Sequence, residues 1–296
     1  MSINMSASSF TPSSEIEQSS RFGFFHIPAN NKNNDGLNIY AKNKREFFEK
    51  LIDKVEHGEK LDKFDFSKIS AAGANLSGLP LYKLGANALR QIDFAGADLS
   101  NQNFAGMGLR KFNAPGAILT GANFEGADLS EANLQSARIS NASFSSANAG
   151  GANLNFAQGS NTNMNGAFGG AGLAGVDLSN PYMGTDCFVN ANLSGAKMTG
   201  MEPGDADFSF ANLRGAELSS EDLSNNHFAG ADLTNAKISA KTLDLAKLDK
   251  TQKAGLALSF GRAVSSAGPM AAEGARPQMQ NPWKKPYLLD GPMVAA

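Results

Sequence analysis

The stretch Gly121–Ser140 reads GANFEGADLSEANLQSARIS and repeats one pattern every five residues. A large apolar residue fills every fifth position, and alanine lies two residues before each: Phe124, Leu129, Leu134 and Ile139. Neither a helix, with a period of about 3.6 residues, nor a flat strand, with a period of about 2, keeps such a row on one side. A coil whose sides are each five residues long does, so the pattern predicts a solenoid.

The rhythm continues over most of the chain in three frames. Residues 61–81 carry a short first run. Between 84 and 164, 14 of 17 positions at this spacing are large and apolar, and the exceptions are Ala114, Ala149 and Gly159. After a one-residue deletion, the 17 positions from 168 to 248 contain one exception, Pro203.

The large residue and the small residue two positions before it are expected to point inward, because a bulky side chain at the small position would overpack a narrow coil. The other three positions are mostly polar and are expected to face water. Stacked coils then share a thin, continuous core. The candidate core residues are Phe94, Leu99, Phe124, Leu129, Leu134, Leu193, Phe208, Leu213, Leu218, Phe228 and Leu233.

The motif A(D/N)LXX, as in ADLSE at 127–131, ANLRG at 211–215 and ADLTN at 231–235, resembles the pentapeptide-repeat family. The resemblance implies an all-β fold, a right-handed quadrilateral β-helix with four repeats per coil. Nine to ten coils would give a rod on the order of 45 Å at strand spacing. The fold leaves the function open, because activity lies in sites placed on it.

The chain divides into five segments. We expect a disordered, serine-rich segment at 1–34, a helical cap at 35–60, the β-helix at 61–248, a second helical cap at 249–265 and an extended proline-rich tail at 266–296. Asn43 with Glu46 three residues later predicts the start of the first cap helix. Its apolar stripe is expected to cover the open edge of the first coil.

The first twenty residues contain eight serines and neither lysine nor arginine, and they lack the basic and apolar regions of a Sec signal peptide. They resemble the uncleaved export signals of type III secretion effectors; an ordinary disordered tail is the alternative. The apolar patch Phe22–Pro28 follows. This patch is expected either to bind a secretion chaperone or to cover the open end of the rod.

The C-terminal tail carries aromatic and leucine residues, which disordered segments usually lack. Trp283, Tyr287, Leu288 and Leu289 are therefore candidate partner-binding residues. Folding of the tail back onto the rod is an equal alternative.

No catalytic or metal-binding pattern emerges, and no cofactor is expected. His227 lies at an outward repeat position, whereas His26 and His57 lie in the flanks. The single cysteine, Cys187, excludes an internal disulfide and has the acidic Asp186 as its neighbour, which does not activate a thiol. No apolar run is long enough for a transmembrane helix.

Two features distinguish the rod surface. Residues 139–176 carry no charge and are rich in asparagine, which makes Asn153 and Asn163 candidates for partner contact. A local irregularity with a kink is the alternative. In addition, polar residues fall at small inward positions, where bulged corners or partial exposure are expected. These are Asp186, Glu221, Asn226 and Lys241.

Four functions compete: a secreted effector that scaffolds host proteins without chemistry, a DNA mimic that binds a type II topoisomerase, a bacterial structural or assembly factor, and an enzyme. Residues 84–248 contain 15 Asp and Glu against 9 Lys and Arg, a balance of only −6, and the acidic residues do not run in rows, whereas DNA mimicry requires a strongly acidic rod. The net charge of −2 for the whole chain likewise gives no reason to expect a nucleic-acid partner. The missing catalytic pattern disfavours an enzyme. We favour the effector, acting inside the host cell, with a bacterial cytoplasmic location as the alternative.

Overall fold

The computed structural model describes residues 25–27, 39–41, 43–61, 65–67, 69–184, 188–201, 205–220, 223–239, 248–249 and 252–253. Strands β1 (Phe25–Ile27) and β2 (Ile39–Ala41) pair antiparallel. Helix α1 (Lys44–Glu56), a 3₁₀ helix (Leu81–Leu84) and helix α2 (Gly85–Gln91) follow. The prediction that 1–34 is disordered is wrong at 25–27, where aromatic and β-branched residues form β1.

Most of the remaining described residues form a solenoid of parallel pairings. Successive partners lie 20 residues apart, as in Asn113, Asn133 and Asn153. Five coils extend a pairing into a short strand, and these strands form one parallel sheet in chain order. They are β3 (Gln158–Ser160), β4 (Asp177–Ser179), β5 (Lys197–Met201), β6 (Glu217–Ser220) and β7 (Lys237–Ser239). A coil therefore contains four five-residue repeats.

Each repeat turns a corner through a local hydrogen bond. The amide of Ala127 donates to the carbonyl of Phe124 over 2.9 Å, and Ala132 repeats this bond to Leu129. In most described repeats the second residue after the large one takes a left-handed conformation, with φ of 65° at Gly126. Glycine and asparagine dominate this position because they adopt that conformation most readily.

The large residues form four rows along the rod, and we call each row with its outward neighbours a face. The first face is centred on Phe94, Ala114, Leu134, Leu154, Leu173, Leu193, Leu213 and Leu233. The second is centred on Leu99, Leu119, Ile139, Gly159, Leu178, Met198, Leu218 and Ile238. The third is centred on Phe104, Phe124, Phe144, Met164 and Met183, and the fourth on Leu109, Leu129, Ala149, Phe168, Phe188, Phe208 and Phe228. Apart from Gly159, all of these are buried.

All eleven candidate core residues are buried. Phenylalanine rings also form one continuous spine from α1 to the last described coils. Phe48 approaches Phe94 with ring centroids 6.3 Å apart, and the spine passes to the fourth face where Phe144 meets Phe168 at 5.9 Å. It ends with Phe208 and Phe228, whose planes differ by 6°. The helical cap and the coils therefore share one core.

The predicted frame slip between 164 and 168 is present, and the solenoid continues through it. Pairings across this region join residues 19 apart, as in Asn148 with Ala167 and Asn163 with Tyr182. Gly166 absorbs the deletion: a Cβ at this position would lie 2.5 Å from the Phe144 carbonyl oxygen and 2.8 Å from that of Ala147. Only glycine fits this shortened corner.

The repeat frame does not extend to Leu84 and Leu89, which lie in the 3₁₀ helix and α2. The two leucines are buried at a spacing of five, but the segment between them, GANA, begins α2 although glycine and asparagine are weak helix formers. This helical insertion lengthens its coil, so that Ser70 pairs with Asp93, 23 residues away.

Helix α1 covers the first coil, as predicted. The Asn43 side chain accepts a hydrogen bond from the Glu46 amide at 2.9 Å. Lys44 donates to the Ala72 carbonyl at 2.6 Å, and Arg45 donates to the carbonyls of Asn75 and Ser77 at 3.1 Å each. In later coils the equivalent carbonyls accept bonds from the preceding coil. Lys44 and Arg45 therefore supply hydrogen-bond donors to three carbonyl groups at the open edge of the first coil.

At the other end, Gln252 covers the last described coil. Its side-chain amide donates to the carbonyls of Phe228 and Ala231, the latter at 3.2 Å. Gln252 and Asp249 also exchange hydrogen bonds between backbone amide and side-chain oxygen, which is a capping box. Apart from residue 253, the rest of the predicted C-terminal cap lies outside the described residues.

Candidate interaction surfaces

Asparagine side chains form a ladder along the first face. Asn113 donates to Asp93 at 2.8 Å, Asn133 to Asn113 at 3.1 Å, and Asn153 to Asn133 at 3.4 Å. The Asn153 oxygen also accepts from the Asn155 amide at 3.1 Å. Asn153 is half-buried and holds neighbouring coils together, so its geometry indicates a structural role.

Asn163 was predicted to contact a partner, but it is only 5 % exposed. Its row on the third face places it between Ser143 and Tyr182, and Ser143 is buried as well. Its side-chain oxygen accepts from the Asn165 amide at 2.9 Å. The repeat pattern marks this position as outward, but Asn163 is buried, as is Ser143 in the preceding coil, so little of its surface can contact a partner.

The first face carries no charge over five consecutive coils. Its outward residues there are Asn113, Pro115, Asn133, Gln135, Asn153, Asn155, Gly172, Ala174, Asn192 and Ser194. Asp93 bounds this stretch at one end, and the ion pair of Arg214 with Asp232, at 3.1 Å, bounds it at the other. The face therefore presents amides, hydroxyls and small side chains.

Phe156 and Phe210 are exposed at the two corners that border the first face, with 56 % and 65 % of their surface accessible. Both take left-handed φ angles, 62° and 58°. Each ring lies over a glycine of the next coil: a Cβ on Gly175 would be 2.8 Å from the Phe156 ring, and one on Gly230 would be 2.6 Å from that of Phe210. Sequence reasoning missed them because it considered charge, asparagine and histidine at the outward positions and not aromatic residues; an aromatic at the glycine position of the repeat is the signal.

Charged residues alternate in sign along the second face. Asp177, Lys197, Glu217 and Lys237 occupy one row of paired positions on β4 to β7. Lys237 contacts Glu217 at 2.6 Å, and this hydrogen bond, with the charge of Lys197, lowers the pKa of the Glu217 carboxyl. Each coil thus carries a charge opposite to that of its neighbours.

Asn226 was expected to be partly exposed, but only 4 % of its surface is accessible. Its side-chain nitrogen donates to the Ala206 carbonyl at 3.5 Å, and its oxygen has no hydrogen-bond partner among the described residues. The other three polar residues at small positions, Asp186, Glu221 and Lys241, lie outside the described residues, as do Cys187 and the candidates Trp283, Tyr287, Leu288 and Leu289.

Within the described part of the chain, no group of histidine, cysteine, aspartate and glutamate side chains could hold a metal ion. His227 is exposed on the fourth face and pairs in register with Asp207. Among the helices that the structure describes, none combines the length and the apolar character needed to cross a membrane.

A family model described as pentapeptide repeats matches residues 116–145, 187–224 and 206–239, with eight copies. The chain contains pentapeptide repeats. Between the matched segments, residues 146–186 continue the same rows of pairings, so the repeats pass through the shortened coil. No curated protein sequence is similar enough to match the chain.

Solved structures similar to this pentapeptide-repeat rod have low sequence identity. HetL, involved in heterocyst differentiation regulation in the cyanobacterium Nostoc sp., is 23% identical over 60% of this chain and 86% of its own, with a TM-score of 0.27. QnrB1, a plasmid-mediated fluoroquinolone resistance protein, is 19% identical over 60% and 93%, with a TM-score of 0.26. A pentapeptide repeat protein from the Arabidopsis thaliana thylakoid lumen is 24% identical over 51% and 68%, with a TM-score of 0.16. At these TM-scores, the similarity supports no inference about what the rod binds.

Proposed function

We propose that this chain is a non-enzymatic scaffold, a rod that binds a protein partner through its first face. The observation that carries the proposal is the exposure of Phe156 and Phe210 at the corners bordering this face. A bulky side chain rarely adopts a left-handed backbone conformation. Strained residues of this kind cluster at functional sites, where the strain is compensated elsewhere in the structure.

The chemistry of the first face fits a protein partner. Interface cores are enriched in aromatic residues and depleted of charge, and an uncharged surface costs less to desolvate. By strand spacing, Phe156 and Phe210 lie about 13 Å apart along the rod. Both can therefore contact one partner, and between them the first face presents the small and polar residues Gly172, Ala174, Asn192 and Ser194.

The proposed cellular setting is that of a secreted bacterial effector. The serine-rich start of the chain, Met1–Ser20, supports export through a type III system, with a secretion chaperone at the N-terminal flank. The partner of the rod is then a host protein, and the tail around Trp283 is a second contact. We also propose that the coil is right-handed and quadrilateral, as in the family that the repeats resemble.

Binding through the first face is tested with the double variant Phe156→Asn, Phe210→Asn. Asparagine is common at left-handed turns of this rod, so the variant should keep the wild-type circular dichroism and melting temperature. A host protein captured by the wild type should be lost from the double variant. Lys111→Asn is the matched control, because Lys111 has the same backbone conformation and follows the fourth face, as Phe210 does. Equal capture by the double variant contradicts the proposal.

Export is tested separately by fusing residues 1–34 to a reporter in a strain with a functional type III system and in its secretion-deficient mutant. Secretion only by the functional strain supports the effector role. Retention of the reporter in both strains contradicts the effector role and does not affect the proposal that the first face binds a protein partner.

The alternative of DNA mimicry is disfavoured by the arrangement of acidic residues. A surface that imitates a phosphate backbone needs closely spaced rows of negative charge. In the described rows, each acidic residue stacks on a neutral or basic one, as Asp128 does on Asn148 and Glu217 on Lys237. Among the rows of residues that the structure describes, none presents two consecutive carboxylates.

A further inference from the structure

The second face has a charge pattern that is complementary to itself. Its row reads Asp177, Lys197, Glu217, Lys237 along the rod, one residue per strand. When a second copy of this row is laid against it in the reverse direction, Asp177 meets Lys237 and Lys197 meets Glu217. Every pair is of opposite sign, and each contact occurs twice, as an isologous interface requires.

We propose that two copies of this chain associate through their second faces. The rods run antiparallel, and the twofold axis lies along the strand direction between β5 and β6. This inference rests on the second face and is independent of Phe156, Phe210 and the partner proposed above.

The charged groups remain available for such a contact. Asp177, Lys197 and Lys237 are exposed, and the Glu217 side chain keeps 38 % of its accessible surface. The bond between Lys237 and Glu217 uses one of three ammonium donors and one of several carboxylate lone pairs. Each group can therefore form a bond to the second copy while it keeps its neighbour in the same chain.

The rest of the face allows close approach. This is the face on which the coils extend into paired strands. The next outward position after each paired residue is a small hydroxyl residue: Ser160, Ser179, Thr199 and Ser219. The extra residue in β5, Gly200, has no side chain to project. Two such faces can pack near the usual distance between stacked sheets, about 10 Å.

The size of the contact places it among weak interfaces. Four short strands at about 4.8 Å spacing offer only a few hundred Å² per copy. Contacts of this size are transient, and charge complementarity mainly sets their specificity. We therefore expect reversible dimers at high-micromolar protein concentration that dissociate as salt is raised.

Charge reversal tests the pairing. In the Lys197→Glu variant, the new carboxylate faces Glu217 of the second copy. In the Glu217→Lys variant, the new ammonium group faces Lys197 of the second copy. Each variant alone should lose self-association, with the dissociation constant rising at least about tenfold in sedimentation equilibrium. An equimolar mixture should associate again as a heterodimer, because all facing charges are then opposite. Arg138→Glu is the control: it makes the same charge change in the same row, outside the overlap, and should dimerise as the wild type does.

Circular dichroism first establishes that each variant is folded. Asp177→Lys and Lys237→Glu repeat the experiment at the outer pair, in case a variant of the inner pair does not fold. Restored association in the mixture supports the proposal, since a purely structural effect would persist there. A monomeric wild type at high concentration and low salt, or a mixture that stays monomeric, overturns it.

Discussion

Gly166 is the residue at which the backbone absorbs a one-residue deletion. Its amide donates to the Met164 carbonyl at 2.8 Å, and the corner closes so tightly that two carbonyl oxygens occupy the space of a side chain. A frame slip is visible in the sequence as an interrupted rhythm. The residue that accommodates it is not, because Asn165, Gly166 and Ala167 all lie between Met164 and Phe168, and only the closed coil shows which of them has no room for a side chain.

We expect Gly166→Ala to lower the free energy of unfolding by about 2 kcal/mol or more, since the added methyl group collides with backbone atoms that cannot move aside. Gly169→Ala is the control: its nearest added contact is the Val189 carbonyl oxygen at 3.6 Å, an ordinary distance, so the change should stay within about 0.5 kcal/mol. Urea denaturation of both variants measures the difference. Equal stability would show that the corner can widen.

At the scale of elements, the sequence predicts some parts of this fold well. The start of α1 follows from Asn43 and Glu46, since capping chemistry is local. Helix α2 escaped prediction because Leu84 and Leu89 imitate the repeat spacing, and of the four residues between them only the two alanines favour a helix. The exposed Phe156 and Phe210 do carry a sequence signal, because each is an aromatic at the glycine position of its repeat. The charge alternation of the second face is visible only once the register between coils, including the 19-residue step, is known.

Helix α1 protects the open edge of the first coil mainly through its first turn. Arg45→Ala removes donors from the carbonyls of Asn75 and Ser77, so we expect a loss of about 1 kcal/mol in unfolding free energy and more aggregation. Lys50→Ala, on the same helix, loses an exposed ion pair with Glu46 and should cost less than about 0.5 kcal/mol. Chemical denaturation and light scattering report the two effects. Similar losses in both variants would argue against edge protection.

Acid should weaken the contacts between coils. The pKa of the Glu217 carboxyl is lowered first by its hydrogen bond from Lys237, and that of Asp232 first by its hydrogen bonds from Thr234. A carboxyl group whose pKa is lower in the folded state stabilises the fold at pH values above its unfolded pKa, which is 4.5 for glutamate and 3.8 for aspartate. That stabilisation is lost as the pH falls through the folded-state pKa. The melting temperature should therefore drop below about pH 4.5. In Lys237→Met, which removes the main cause at Glu217, the drop should be smaller; an unchanged pH profile would contradict this assignment.

For the whole molecule, stability is expected to be local, because each coil contacts only its neighbours. Leu213→Asp places an unpaired charge at a fully buried position and should remove several kcal/mol. We expect hydrogen exchange to accelerate in the coils around residues 193–239 while residues 104–144 keep their protection. Ser194→Asp, at an outward position of the same face, should leave exchange unchanged. Loss of protection along the entire rod would instead show that the solenoid unfolds as one cooperative unit.

The 20-residue period has a consequence for how such a chain can change in length. Duplication or loss of one full turn of 20 residues leaves every asparagine ladder, ring stack and charge row aligned, because each side chain returns to its own side. An insertion of five residues preserves the inward pattern but rotates everything after it by a quarter turn. Growth in whole turns therefore keeps every residue on its own face, whereas a single added repeat moves every later residue to the next face.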